Sequence, residues 1–126
     1  MTDDELAAYL DDNGYPEHIV AGGGPGLIRR WCEFVSEVEQ GYQYRLHDYR
    51  HDLDIRGVLA LSGLDEDPAV QAADERLRQV LTPARERVWE STPGEAFWDF
   101  GYPQNATGRL RKDLEAAGLL RNDEET

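Results

Sequence analysis

Cysteine is nearly absent from this sequence: Cys32 is alone among 126 residues. No internal disulfide can form, and a reducing, cytoplasmic compartment is expected. Long apolar runs are missing too. No stretch reaches the roughly 18 apolar residues of a membrane span, and the first residues are acidic, so neither a span nor a signal peptide is expected. Positive charge is scarce: 13 Lys and Arg stand against 26 Asp and Glu, a formal net charge of −13. Such a surface repels phosphate backbones and anionic lipid, which argues against a nucleic-acid or membrane binder. Lysine is almost gone, with Lys112 alone, a pattern of genome composition more than of function. Internal repeats and low-complexity segments are lacking. No alternating strand pattern stands out, although Trp98–Tyr102 could form a short extended piece.

What is present is helical periodicity. Leu27, Ile28, Trp31, Phe34, Val35, Val38 and Tyr42 recur at steps of three and four, which places them on one face of a helix. Gly24 and Pro25 mark its start, because proline is tolerated at the first helical position. Arg29, Arg30, Glu33, Glu37 and Glu39 fall on the opposite face, with Arg29 and Glu33 spaced for an ion pair. Gly41 breaks the pattern. It restarts near Leu46, with Leu46, Tyr49, Leu53, Gly57, Ala60, Leu61 and Leu64 as the expected inner face, and Gly63 as the stop.

Around this central pair the chain reads as further helices. Thr2 and Glu5 have capping-box spacing for a helix over 2–13. Tyr15–Gly24 reads as a loop, and its Gly22-Gly23-Gly24-Pro25-Gly26 run lacks the lysine and hydroxyl of a phosphate-binding loop. Asp67 and Pro68 open a helix with a Val70, Ala73, Leu77, Val80, Leu81 stripe. Thr82-Pro83 should kink or restart it toward Ala84, Val88 and Trp89. Thr92, Pro93 and Glu95 again resemble a helix start. Phe97, Trp98, Phe100 and Tyr102 then crowd into a short turn of helix and an aromatic loop. Asn105 is the expected cap of a last helix, with Leu110, Leu114 and Ala117 inward and Gly118-Leu119 as a Schellman-type ending. Residues 121–126 should fray. The expected fold is a single all-α domain over 1–126, a compact bundle of four to five helices.

Two constellations could carry chemistry. His47 and His51 are four apart, the spacing of helical zinc ligands, with Asp48 where a metalloprotease has glutamate and Asp54 as a further ligand. Arg50, Asp52, Asp54 and Arg56 form two i,i+4 pairs. The Asp52–Arg56 pair is the one expected to be partly buried and to tie its helix to the segment after Trp98. No nucleophile motif surrounds Ser36, Ser62, Ser91 or Cys32.

The function expected from these features is non-enzymatic. An acidic helical protein of this size can neutralise a basic protein partner, as small immunity proteins and antitoxins do, through charge complementarity. The expected contact set is Glu33, Glu37, Glu39, Asp48, Asp52 and Asp54, with Trp98 as an aromatic anchor. The alternatives are a zinc-binding or metal-dependent hydrolytic protein on His47, His51 and Asp54, and an adaptor that forms homo-oligomers through an apolar helix face.

Overall fold

A computed structural model describes residues 2–83, 97–99, 101–106 and 108–119. Among these residues the chain forms five α-helices: α1 (Asp3–Asp12), α2 (Glu17–Gln40), α3 (Leu46–Leu61), α4 (Pro68–Val80) and α5 (Gly108–Ala116). The all-α bundle expected from periodicity is the observed architecture. α2 is its axis and packs against α1, α3 and α4, while α5 lies on α3. No helix among the described residues is long and apolar enough to cross a membrane.

Local chemistry explains most boundaries. The Thr2 hydroxyl accepts from Glu5 N, and the Glu5 carboxylate accepts from Thr2 N, so α1 starts on a full capping box. Asp67 accepts from Ala69 N and Pro68 takes the first turn of α4. Gly41, at φ 110°, ends α2 in a backbone region that suits glycine. α5 closes as a Schellman motif: Leu119 N donates to Leu114 O, Gly118 N donates to Glu115 O, and Leu119 is buried.

Several expectations need correction. Tyr15–Gly24 is not a loop. α2 begins at Glu17 and runs through the glycine run with a kink at Gly23 (φ 59°, ψ −156°). Hydrophobic Ile19 and Val20 pack against the core and hold this first piece. The helix then restarts at Gly24-Pro25, as the proline suggests. Gly24 is buried, and a Cβ there would meet Leu64 Cδ1 at 2.9 Å. Gly23→Ala should therefore cost about 1–3 kcal/mol, because its conformation is one that only glycine adopts freely; urea unfolding would check it. Asn105 does not cap α5, which begins at Gly108. Its side-chain amide donates to Glu39 O instead. Ala117 is exposed rather than inward. The expected Arg29–Glu33 ion pair is not among those formed by the described residues.

A second correction concerns the region after α4. The helix does not continue through Thr82. Leu81–Pro83 forms strand β1, paired antiparallel with β2 (Gly101–Pro103), with Thr82 opposite Tyr102. Proline cannot donate to a helix ladder, and this two-stranded edge gives the chain another place to put its backbone groups. The short 3₁₀ turn at Phe97–Asp99 matches the turn expected there. Ala84, Val88, Trp89, the Thr92–Glu95 helix start, Phe100 and the tail 121–126 lie outside the described residues.

The core is continuous. Leu10, Leu27, Val35, Val38, Leu53, Leu59, Val70, Leu77, Leu110 and Leu114 are all fully buried. Each such leucine or valine contributes about 1.5–3 kcal/mol through removal from water. At its centre Trp31, Phe34, Tyr42 and Tyr49 pack with ring centroids 5.2–5.8 Å apart. Part of the expected inner face of α3 turns outward: Ala60 and Leu61 face solvent, while Ile55 and Arg56 are buried beside Val58 and Leu59.

Arg56 is the reason. Its guanidinium grips Asp74 of α4: Nε donates to Oδ1 at 3.0 Å and to Oδ2 at 3.3 Å, and Nη2 donates to Oδ2 at 2.8 Å. Asp74 Oδ1 also accepts from Trp31 Nε1 at 2.9 Å. The Arg56 head lies 4.3 Å from the ring centre of Trp98. The buried pair is thus Arg56–Asp74, not Arg56–Asp52, and Arg56 stacks on Trp98 itself rather than on the segment after it. Both charged side chains are only 7% exposed. Among the described residues Arg56 Nη1, Trp98 Nε1 and Tyr49 Oη meet no hydrogen-bond partner. The cluster is specific in geometry without being fully satisfied.

Candidate functional site

Edges of α2 and α3, with the turn before α2, line a cleft of about 270 Å³. Tyr15, Pro16 and Ile19 close one end. Arg30, Glu33, Phe34 and Glu37 come from α2, and His51, Asp52 and Ile55 from α3. The helical period dictates this set. Residues 30, 33, 34 and 37 occupy one edge of α2, and 51, 52 and 55 one edge of α3.

The floor is apolar and the walls are acidic. Asp52 is half-buried, and its carboxylate accepts from Tyr42 Oη at 2.6 Å. Burial raises the Asp52 carboxyl above the usual carboxylate range, and the Asp48 charge adds to the rise. The Tyr42 bond, His51 and Arg30 offset it only in part. Glu37 is also raised, first by burial and then by repulsion from Asp52 and Glu33. Neither Glu33 nor Glu37 meets a cation at ion-pair distance among the described residues. Tyr42 itself is shifted well upward by burial and by its bond to Asp52, so it stays a neutral donor. The cleft therefore holds negative charge in excess of its local compensation, and it can receive a cation.

The structure sorts the expected contact residues. Glu33, Glu37 and Asp52 come together in the cleft. Asp48 sits one turn before Asp52 and accepts from Arg45 N at 3.1 Å, capping α3. Asp54 accepts from the Tyr15 hydroxyl, a bond that pins the α1–α2 turn to α3. Glu39 points elsewhere and pairs with Arg76 of α4, which lowers its carboxyl below the usual range. Trp98 is 7% exposed and packs on Arg56, so it is a core residue rather than a surface anchor.

His47 and His51 do share a side of α3, with ring centroids 4.5 Å apart in an edge-on arrangement. Asp54 is engaged by Tyr15 instead of joining them. Among the described residues no group of three or more His, Cys, Asp or Glu is placed to hold a metal ion. Cys32 is half-buried, its thiol raised by burial, with Sγ 3.8 Å from Ala69 O. A raised thiol is a poor nucleophile at neutral pH.

Sequence reasoning missed Tyr15, Ile19 and Arg30 as parts of the cleft, and Tyr42 as the buried donor that holds Asp52. The signal for Tyr42 was its hydroxyl at the end of an apolar stripe, since a buried tyrosine needs a partner for that group.

The fold and the site define a small all-α bundle with an acidic cleft between its two longest helices. Compared with protein-family models, curated proteins and solved structures, the chain matches none of them.

Proposed function

We propose that the protein is a cytoplasmic, non-enzymatic binding protein that neutralises a basic protein partner, with the α2–α3 cleft receiving a cationic side chain. An immunity- or antitoxin-type inhibitor is the narrower form of this reading. The observation that carries it is the carboxylate set Glu33, Glu37 and Asp52, offset only in part by Arg30, His51 and the Tyr42 bond, around a partly apolar cleft. Maintaining raised carboxyls costs stability in the free protein. A lysine or arginine placed between them would supply the missing charge, and its aliphatic stem would lie along Ile19, Phe34 and Ile55. The net charge of −13 would steer a basic partner toward the surface and suppress acidic competitors.

The reading fixes a pH dependence. Both groups hold protons more tightly in the folded protein than in the unfolded chain, so the cost of keeping them ionised away from water weighs on stability at neutral pH and is relieved as pH falls through their raised values. Binding a cation reverses the shift. Association should therefore release protons in mildly acidic buffer and weaken as pH drops through the same window. Asp113 works in the opposite sense. Arg45 and the Leu46 N–H hold its carboxyl at about 2, so its contribution persists above the ordinary carboxylate range and is lost only as pH falls toward that value.

The test is capture of partners from an extract of the source cells on immobilised protein at low salt. The expected result is a basic protein that is retained by the wild type, released by salt and lost with Glu37→Gln/Asp52→Asn. Recovery of no basic protein would contradict the reading.

A further inference from the structure

A second pocket, of about 310 Å³, opens at the kink of α2. Its lining is His18, Ile19, Gly22, Gly26, Arg29, Arg30 and Glu33. We infer that this pocket is a binding site for a phosphate group, held by Arg29, Arg30 and His18.

Three observations lead there. The first is the pairing of arginines. Arg45, Arg56, Arg76, Arg78 and Arg111 each meet a carboxylate, at Asp113, Asp74, Glu39, Glu75 and Glu115 respectively. Arg29 and Arg30 meet none among the described residues, although the chain carries twice as many acids as bases. Arg29 has Glu33 one turn ahead, at a spacing that permits an ion pair. It turns the other way. Its Nη2 lies 3.9 Å from where a Cβ of Gly26 would stand, so the guanidinium reaches back toward the kink.

The second is the wall itself. Gly22 and Gly26 contribute backbone without side chains, and a Cβ at Gly22 would meet nothing within 4 Å. An incoming group can approach the main chain closely there. The third is electrostatic. The helix restarts at Gly24-Pro25, so two arginines stand within its first two turns, where its partial charge is already positive. Cations are ordinarily disfavoured at that end. Here two of them and His18 converge on one cavity.

The chemistry selects the ligand. Two guanidinium forks and an imidazole offer more donors than a planar carboxylate can accept, and a tetrahedral phosphate can engage both forks at once. Glu33 lines the same pocket and opposes any anion, which fixes the sign of a further test. The site shares Ile19, Arg30 and Glu33 with the acidic cleft but takes a ligand of opposite charge, and His18 and Arg29, which do not line the cleft, tell the two apart.

The experiment is a nuclear magnetic resonance titration of the full chain with inorganic phosphate and, separately, with glycerol phosphate, at ionic strength held constant with chloride. Saturable shifts are expected at the Arg29, Arg30 and His18 side chains. Arg29→Gln/Arg30→Gln should weaken binding at least about tenfold, as expected for lost charge-assisted hydrogen bonds. Glu33→Gln should tighten it, and Arg111→Gln should leave it unchanged. Both arginines are exposed, so their replacement leaves the core intact. Tighter binding of glycerol phosphate would point to an ester headgroup, and tighter binding of inorganic phosphate to the free ion. Shifts no larger than those produced by chloride, or an affinity unchanged in the double variant, would overturn the inference.

Discussion

Asp74→Ala should destabilise the bundle by about 3–5 kcal/mol, the cost of leaving a buried charge without its partner. The substitution strands the Arg56 guanidinium at 7% exposure and removes the acceptor of Trp31 Nε1. One carboxylate thereby serves α2, α3 and α4 together, with Trp98 stacked on the same arginine. Against a total stability of about 5–15 kcal/mol for a domain of this kind, the loss is severe. Arg56→Ala should act in the same direction. Arg56→Met/Asp74→Leu should lose much less, because both charges leave the interior together. Arg76→Ala breaks the exposed Glu39 pair and serves as the control, with an expected cost of about 0–1 kcal/mol. Urea unfolding of the four variants decides the matter. If Asp74→Ala costs no more than Arg76→Ala, the cluster does not hold the helices together.

Glu37→Lys should abolish partner capture, weakening association by at least about 100-fold, within the 2–5 kcal/mol span of interfacial charge pairs that lose one member. The same residue predicts an opposite effect on the free protein. Its carboxyl is raised by burial and by Asp52 and Glu33, so Glu37→Gln should leave the fold as stable or slightly more stable. A position where loss of the charge leaves the free molecule as stable while its reversal abolishes binding marks a group kept for function rather than for folding. A core position behaves otherwise. Leu53→Ala would damage both together, because Leu53 is fully buried on α3, which carries Asp52.

The architecture was legible in the sequence where apolar period and cap chemistry agreed. The Thr2–Glu5 box, the Asp67-Pro68 start and the Leu27–Val38 stripe all lie where their side chains say they should. It was illegible where tertiary partners decided the outcome. Gly22-Gly23-Gly24 reads as a loop to any local rule, yet Ile19 and Val20 anchor a helical turn before it and Leu64 packs against Gly24. Leu81–Pro83 became a strand because Gly101–Pro103 was there to pair with it, which no window of neighbouring residues reveals.

The charged residues show the same division. Arg56 continues the Leu46, Tyr49, Leu53 spacing, and Asp74 falls among Val70, Ala73 and Leu77. Both therefore sit on apolar faces by period alone, and two opposite charges so placed could have been matched. The i,i+4 rule pointed to Asp52 instead, because it ranks neighbours on one helix above partners on another. For the cleft, spacing placed Glu33 and Glu37 on α2 and Asp52 on α3, and the structure brings the three to one lining. It could not separate them from Glu39 and Asp54, whose partners Arg76 and Tyr15 are 37 and 39 residues away in sequence.

The most direct measurement is a resonance-perturbation map of the isotope-labelled chain bound to its captured basic partner. The account predicts that the largest changes cluster at Glu33, Glu37, His51 and Asp52, that Tyr42 follows because it holds Asp52, and that Glu39, Trp98 and Asp113 stay quiet. Changes centred on the Arg45–Asp113 face, with the α2–α3 cleft unperturbed, would contradict it.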